Sequence, residues 1–236
     1  MIFIGLDISK ISTALCIENN GKIKLFNYTT KKANNCWLED TSDFIEYRNI
    51  IYNYLDEKEY SKKELVKLIE FNEITDLIIN DIFDNVNILD SVKIGIEGYS
   101  YSSKGPIFDL IEFSTTLKNK LLLKFNGYSN IQIISPLTLK TGVCKMVYKP
   151  RIEMKGKRVT KRIEHFENTK GKQATKFDKW DMFYAFIDSN LNMELKNWCK
   201  EYEGEISKLK DLPKPLDDMV DSIWLAQIIK KQYLQK

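Results

Sequence analysis

The chain has 236 residues and a formal net charge of +3, and 43% of its residues are hydrophobic and 29% charged. This balance is typical of a folded globular protein rather than a disordered one, and one domain with insertions is the simplest expectation at this length. A single histidine disfavours His-dependent nucleases, zinc hydrolases with paired histidines and most Ser-His-Asp triads, so we expect any catalysis to depend on carboxylates.

The sequence shows no signal for a membrane or for secretion. No run approaches the ~18 apolar residues of a membrane-spanning helix. The start, MIFIGLDISK, lacks a basic region and a small-residue cleavage site. The cysteines have no CxxC spacing and fit reduced thiols; they are Cys16, Cys36, Cys144 and Cys199. We therefore expect an intracellular protein with no membrane partner.

The N-terminal third predicts a meander of strands followed by helices. Apolar, β-rich runs at residues 2–8, 13–18 and 22–28 predict three antiparallel strands, and Asn19-Asn20-Gly21 is a tight-turn signal. Residues 38–90 mix acidic and apolar residues at helical spacing, which predicts a helical insertion.

The remaining elements alternate between strand and helix. A strand is predicted at 92–97, a helix at 107–125, a strand at 131–134 and helices at 175–190 and from Pro215 to about Tyr233. Residues 149–171 have few core formers and predict a basic loop or arm. The expected fold is a single α/β domain over residues 1–236, with a mixed five-stranded sheet, three antiparallel strands and then parallel ones, flanked by helices.

Two predicted strands each carry one acid among apolar residues. Asp7 lies in FIGLDIS and Glu97 ends KIGIEG, and a charge at such a position costs several kcal/mol unless it is compensated. Either acid alone is more often a solvent-facing strand end. In the last helix Asp218 and Asp221 are three residues apart and share one face, whereas Asp217 is better placed as an N-terminal cap.

Four converging carboxylates would repel one another and take up protons unless divalent cations hold them ionised. Oxygen ligands without histidine suit Mg²⁺, with Mn²⁺ as a substitute. Two ions about 3.5–4 Å apart can activate water and stabilise the leaving oxygen in phosphodiester cleavage, so this is the chemistry we expect.

These residues resemble the RuvC-type crossover-junction endonucleases, especially their poxvirus-type relatives, which have a ribonuclease H-like fold. The matching motifs are GLDIS with Asp7, IGIEGYS with Glu97, and PLDDMVDSIWLA with Asp218 and Asp221. The segments ISPLTLK and GKQATKFDKWDMFYAFID are further landmarks in the same order. The stretch 38–90 and the segment 149–171 are longer than a minimal family member needs.

The resemblance implies a metal-dependent nuclease that resolves four-way (Holliday) junctions in DNA. It also implies a homodimer, formed through the helix at 107–125. Members of the family place an aromatic residue after the strand glutamate, and Tyr99 and Tyr101 are the matching candidates for stacking on bases. Core tyrosines are the equally weighted alternative.

Basic residues concentrate in one part of the chain. From Lys140 to Lys179 there are thirteen Lys or Arg and four Asp or Glu, an excess of nine positive charges. Neutralisation of phosphates by such a segment would make DNA binding fall with salt, although a solvated charge run or a localisation signal has the same composition. The candidate DNA contacts are Lys155, Lys157, Arg158, Lys161, Arg162, Lys172 and Lys176. Lys140 is expected near the site, and His165 as an exposed bystander.

Two alternatives of other classes remain open. GLDISKIST also resembles the first phosphate loop of actin-like and sugar-kinase ATP-binding phosphotransferases, but the chain has ten glycines with no glycine-rich cluster, and the late D-x-x-D is then unexplained. A non-catalytic DNA-binding ribonuclease H-like module is the other alternative, and the presence of all four acids argues against it. A restriction-type core would have Lys two residues after the strand glutamate, where Tyr99 stands.

Overall fold

The computed structural model has one mixed sheet with helices on both of its faces. It describes residues 1–30, 40–86, 91–98, 107–125, 130–147 and 177–235, together with the backbone of four short strands between 152 and 174. Within these residues no helix is both long and apolar enough to cross a bilayer.

Six strands form the central sheet in the order β4-β3-β2-β1-β5-β6. Neighbouring strands β1, β2 and β3 are antiparallel, whereas β5 is parallel to β1 and β6 is parallel to β5. The predicted ribonuclease H-like arrangement of antiparallel and then parallel strands is thus confirmed, with one strand more than expected. The six strands are β1 (Ile2–Asp7), β2 (Ser12–Asn19), β3 (Lys22–Thr30), β4 (Ile45–Ile50), β5 (Val92–Glu97) and β6 (Ile131–Ile134).

Seven helices are described around this sheet. The long helices at 60–84, 107–124, 179–188 and 216–234 lie where helices were predicted. Those at 136–147, 193–201 and 203–206 were not predicted. They are α1 (Tyr60–Asp84), α2 (Ile107–Lys124), α3 (Pro136–Val147), α4 (Lys179–Asp188), α5 (Met193–Glu201), α6 (Glu203–Ile206) and α7 (Leu216–Leu234).

The sheet is buried on both faces, which explains why its central strands are almost continuously apolar. Phe3 and Cys16 face a core built with α3, α4 and α7, and Ile4 and Leu15 face a second core built with α1 and α2. Every residue of β1 is buried, so an acid at its end needs a specific partner.

The prediction of helices throughout 38–90 is wrong for its first part. Residues 45–50 form β4, which runs parallel to β3 at the edge of the sheet, and a short 3₁₀ helix follows at Asn53–Leu55. Ile45 faces the core, while Arg48 bridges to Asp81 of α1. The alternation of Ile45 and Tyr47 with Glu46 and Arg48 is the strand signal that the helical spacing hid.

The expectation of a loop or arm at 149–171 needs a partial correction. The backbone of Ile152–Lys155 pairs antiparallel with Arg158–Lys161, and Phe166–Glu167 pairs with Gln173–Ala174. Three basic residues of this segment, Lys155, Arg158 and Lys161, therefore lie within paired strands.

Candidate active site

The two strand acids end neighbouring parallel strands. Strand β1 pairs with β5 in the register Leu6 opposite Ile96, so Asp7 and Glu97 follow side by side at the same edge of the sheet. Carboxyl ends of parallel strands are where open α/β sheets commonly place ligands. The structure thus brings together the two acids that are ninety residues apart in the chain.

Helix α7 delivers the other two acids to this edge. A Cβ atom added at Gly5 would lie 1.9 Å from the carbonyl oxygen of Ser222, so the absence of a side chain lets α7 lie directly on β1. Gly95 of β5 has the same role, because its Cβ would lie 2.6 Å from Ile229. The first turns of α7 consequently stand over the strand ends.

Three of the four predicted acids converge on one point. One carboxylate oxygen from each of Asp7, Glu97 and Asp221 lies within 4.8 Å of the other two, a spacing that can hold a divalent metal ion. Carboxylate oxygens are the ligands that hard cations such as Mg²⁺ prefer, so the donor set fits such an ion. Asp218 lines the same cavity and is 1% exposed, but its oxygens are not part of this group.

Two carboxylates of this cluster, those of Asp7 and Asp221, have raised pKa values and so hold protons more tightly than ordinary aspartates. Burial raises the pKa of Asp7 well above its usual value, and Glu97, Asp218 and Asp221 raise it further by repulsion. Burial and the charge of Glu97 raise the pKa of Asp221 to about 7, although Lys179 acts against them. A bound cation would remove this cost of ionisation, because it favours the charged form.

Asp218 differs from the other three in accepting a hydrogen bond from a lysine. Burial raises its pKa to about 6, while the Lys214 ammonium opposes that rise. Lys214 donates a hydrogen bond to Asp218 Oδ1, and its Nζ also lies 3.2 Å from Asp217 Oδ2. Asp218 Oδ1 is therefore already paired in the absence of any metal, whereas its buried Oδ2 has no hydrogen-bond partner among the described residues.

The prediction that Asp217 caps α7 is wrong. Pro215 occupies the N-cap position without a side-chain hydrogen bond, and Asp217 lies inside the first turn, where it accepts from the Asp218 N–H and from Lys179 and pairs with Lys214. Two ammonium groups and one backbone N–H group thus compensate its buried charge. Neither lysine was predicted, although the Lys214-x-x-x-Asp218 spacing is one that ion pairs use.

These residues surround a cavity of about 300 Å³. Lys140 of α3 lines it, which agrees with the expected position of that residue. Ser114 of α2 also lines it, and its buried hydroxyl has no hydrogen-bond partner among the described residues. The other lining residues that matter here are Asp7, Glu97, Asp218, Asp221, Lys179 and Lys214. Acidic and basic groups thus share one concave site.

A second set of charges holds the loop after β1. Lys10 donates to Asp109 Oδ2 of α2 at 2.6 Å, and the Tyr54 hydroxyl donates to the same oxygen at 2.7 Å. The Lys10 ammonium also lies 4.8 Å from the centre of the Tyr54 ring, a cation–π distance. The segment between β4 and α1 is in this way tied to the loop that follows Asp7.

The structure relates none of the nine predicted DNA contacts to this cavity. Six of the candidates lie outside the described residues: Tyr99, Tyr101, Lys157, Arg162, Lys172 and Lys176, and so does His165. For Lys155, Arg158 and Lys161 the structure describes the backbone alone, in the paired strands at 152–161. Their proximity to DNA stays a prediction.

Comparison with known proteins gave matches at the level of structure. The structure of Thermus thermophilus RuvC is similar with a TM-score of 0.45 and 10% identity, over 100% of this chain and 96% of that one. T. thermophilus RuvC in complex with a Holliday junction substrate is similar with a TM-score of 0.41 and 10% identity, over 100% and 95% of the two chains. No protein-family model matches the chain, and no curated protein sequence does.

Proposed function

We propose that the chain is a Mg²⁺-dependent endonuclease that resolves four-way DNA junctions by hydrolysis of phosphodiester bonds. The observation that carries the proposal is the group Asp7, Glu97 and Asp221, whose oxygens lie within 4.8 Å of one another at the end of the sheet. The junction as substrate is supported by the resemblance of the acid-bearing motifs, each of which contributes a residue to the same cavity.

Asp7, Glu97 and Asp221 would hold the ion, and Asp218 stands next to them. A divalent cation bound there would lower the pKa of a coordinated water and stabilise charge on the phosphoryl oxygens. Asp7 and Asp221 are buried and Glu97 is half-buried, and their oxygens already lie within 4.8 Å of one another, so little reorganisation is needed to receive the ion. Their geometry is set by two strand ends and a helix, which are rigid elements.

The other lining residues suit a phosphodiester substrate. Lys140 and Lys179 present ammonium groups to the same cavity, where they can pair with the nonbridging oxygens of a phosphate. The unpartnered hydroxyl of Ser114 can donate to a water or to an anionic oxygen. The lysines attract the anionic backbone of DNA, and the carboxylates orient what is bound.

Recognition of the branch itself would fall to residues around this cavity. We propose that Tyr99 and Tyr101 stack on bases near the junction centre, and that the basic run 155–162, with Lys172 and Lys176, contacts phosphates. Helix α2 presents Phe108, 78% exposed, and Leu123, 81% exposed, which supports its proposed role as a homodimer interface. A dimer would place two cavities on one junction and allow paired nicks.

The test is cleavage of three labelled substrates, a synthetic four-way junction, a matched duplex and an RNA–DNA hybrid, with Mg²⁺ or Mn²⁺. The proposal expects symmetric nicks in the junction and none with Asp7→Asn, which should still bind it. Junction binding without cleavage by the native chain would favour the non-catalytic module. ATP turnover without cleavage would favour the phosphotransferase alternative.

A further inference from the structure

The cavity contains a cation of its own, the ammonium group of Lys214. Lys214 donates to Asp218 Oδ1, and Asp218 is the one predicted metal ligand that the three-carboxylate group leaves out. Lys214 is held by a second anion as well, since its Nζ lies 3.2 Å from Asp217 Oδ2. Its ammonium group is thus fixed between two buried carboxylates.

We propose that the Lys214 ammonium group replaces the second metal ion, so that the site binds a single divalent cation at Asp7, Glu97 and Asp221. The inference rests on the proposed metal-dependent function and changes the number of ions that the sequence predicted. A lysine ammonium is a compact point charge on a flexible stem, and it neutralises a carboxylate without coordinating it.

The charges of the site agree with one ion rather than two. Asp7, Glu97, Asp218 and Asp221 line the cavity, and Asp217 adjoins it through its lysine partners. Against these five carboxylates stand three ammonium groups, those of Lys140, Lys179 and Lys214. Two negative charges remain, which one divalent cation balances and two would overcompensate. Uncompensated charge of either sign is costly in a partly dehydrated site.

Lys179 offers a matched control because it has the same charge and also pairs with Asp217, whereas the contact with Asp218 belongs to Lys214. It donates to Asp217, which is not part of the metal-ligating group. If mere loss of positive charge admitted a second ion, Lys179→Met and Lys214→Met would act alike. If the contact of Lys214 with Asp218 is what excludes the second ion, Lys214→Met would admit a second ion and Lys179→Met would not.

The experiment is a Mn²⁺ titration of the full chain followed by electron paramagnetic resonance, with free Mn²⁺ counted from its six-line signal. The number of ions at the site is the number bound by the native chain minus the number bound by Asp7→Asn. We expect one site ion with the spectrum of an isolated Mn²⁺ for the native chain, for Lys179→Met and for Lys214→Arg. For Lys214→Met we expect two, with the exchange-broadened spectrum of ions about 3.5–4 Å apart.

Two site ions in the native chain would overturn the inference, and so would a single ion in Lys214→Met that unfolds at a temperature close to the native one. If Lys214→Met does not fold, the native count and that of Lys214→Gln decide in the same way. Failure of the proposed function looks different. It would be the absence of metal-dependent junction cleavage, whatever the number of ions bound.

Discussion

Two regions of this molecule contain buried or half-buried acids that are compensated in opposite ways. On α1, Asp81 accepts from Arg48 Nη2 at 2.8 Å and from the Tyr28 hydroxyl at 2.8 Å. On α2, burial alone would raise the pKa of Asp109, but hydrogen bonds from Lys10 and Tyr54 outweigh it and leave that pKa lowered. These acids are thus paired with basic side chains of the protein itself.

At the strand ends, the effects that raise the pKa of an acid outweigh those that lower it. The pKa of Asp221 rises to about 7 because burial and the charge of Glu97 outweigh Lys179. A folded chain does not gain stability from such an arrangement, so a requirement for an external cation is its simplest physical reason. The difference teaches that acid burial alone does not mark a site; burial with incomplete compensation does.

The largest expected effect separates the two regions by activity. Asp7→Asn or Asp221→Asn should lower junction cleavage by about a thousandfold or more, since metal stabilisation of the transition state amounts to several kcal/mol. Asp81→Asn removes a buried charge of the other region and should retain cleavage within a few-fold at a temperature where it is folded. Single-turnover nicking of a labelled junction measures both, and equal losses would erase the distinction.

The next effect concerns the helix that carries half of the site. Gly5→Ala would place a Cβ 1.9 Å from the Ser222 carbonyl oxygen, forcing α7 away from β1, and we expect a loss of about 3 kcal/mol in the free energy of unfolding. Gly204→Ala is the matched control, because nothing lies within 4 Å of its Cβ. Urea unfolding measures both, and a tolerated alanine at Gly5 would contradict the close approach.

Neutralising one acid in each region should change stability in opposite directions. Asp81→Asn leaves Arg48 without its buried anion, and we expect it to cost about 2 kcal/mol. Asp221→Asn relieves repulsion from Glu97 and should stabilise the metal-free chain by about 1 kcal/mol at pH 8. The measurement is urea unfolding in the presence of a chelator. Destabilisation by both substitutions would mean that the strand-end acids are also structural.

The smallest effect is a dependence on pH. The folded-state pKa values of Asp218 and Asp221 are raised to about 6 and about 7, so the favourable contribution of their protonated forms is present below about pH 4 and is lost as the pH rises through 6 and 7. Thermal unfolding with a chelator should show this loss, and Asp221→Asn should reduce it. A native slope unchanged by that substitution would assign the dependence to other groups.

The sequence was sufficient to predict the acids because each signal is local. Asp7 and Glu97 stand out as charges in apolar strands, and Asp218 and Asp221 are three apart at a helix start. Their convergence depends on Gly5, whose meaning is visible only when α7 is seen on top of it. The basic partners Lys179 and Lys214 resemble any surface lysines in sequence.

Other elements were missed because two patterns coincided. Ser135-Pro136 was interpreted as the end of a strand, but it also begins α3: Ser135 Oγ accepts from the Thr138 N–H at 3.1 Å, and Pro136 is the first helical residue. In and next to β4, the apolar residues at 44, 50 and 51 fit a helical period, but residues 45–50 pair with β3 and form a strand. The spacing of neighbouring residues carries no information about which distant strands will pair.

The central claim is that acids distant in the chain share one divalent cation, and thermal unfolding with and without about 10 mM Mg²⁺ at pH 7.5 tests it most directly. At an affinity near 1 mM, binding to the folded state would contribute about 1.4 kcal/mol, a rise of roughly 3–5 °C in Tm. The account predicts this rise for the native chain and none for Asp221→Asn. The same rise in both, or in neither, would contradict it.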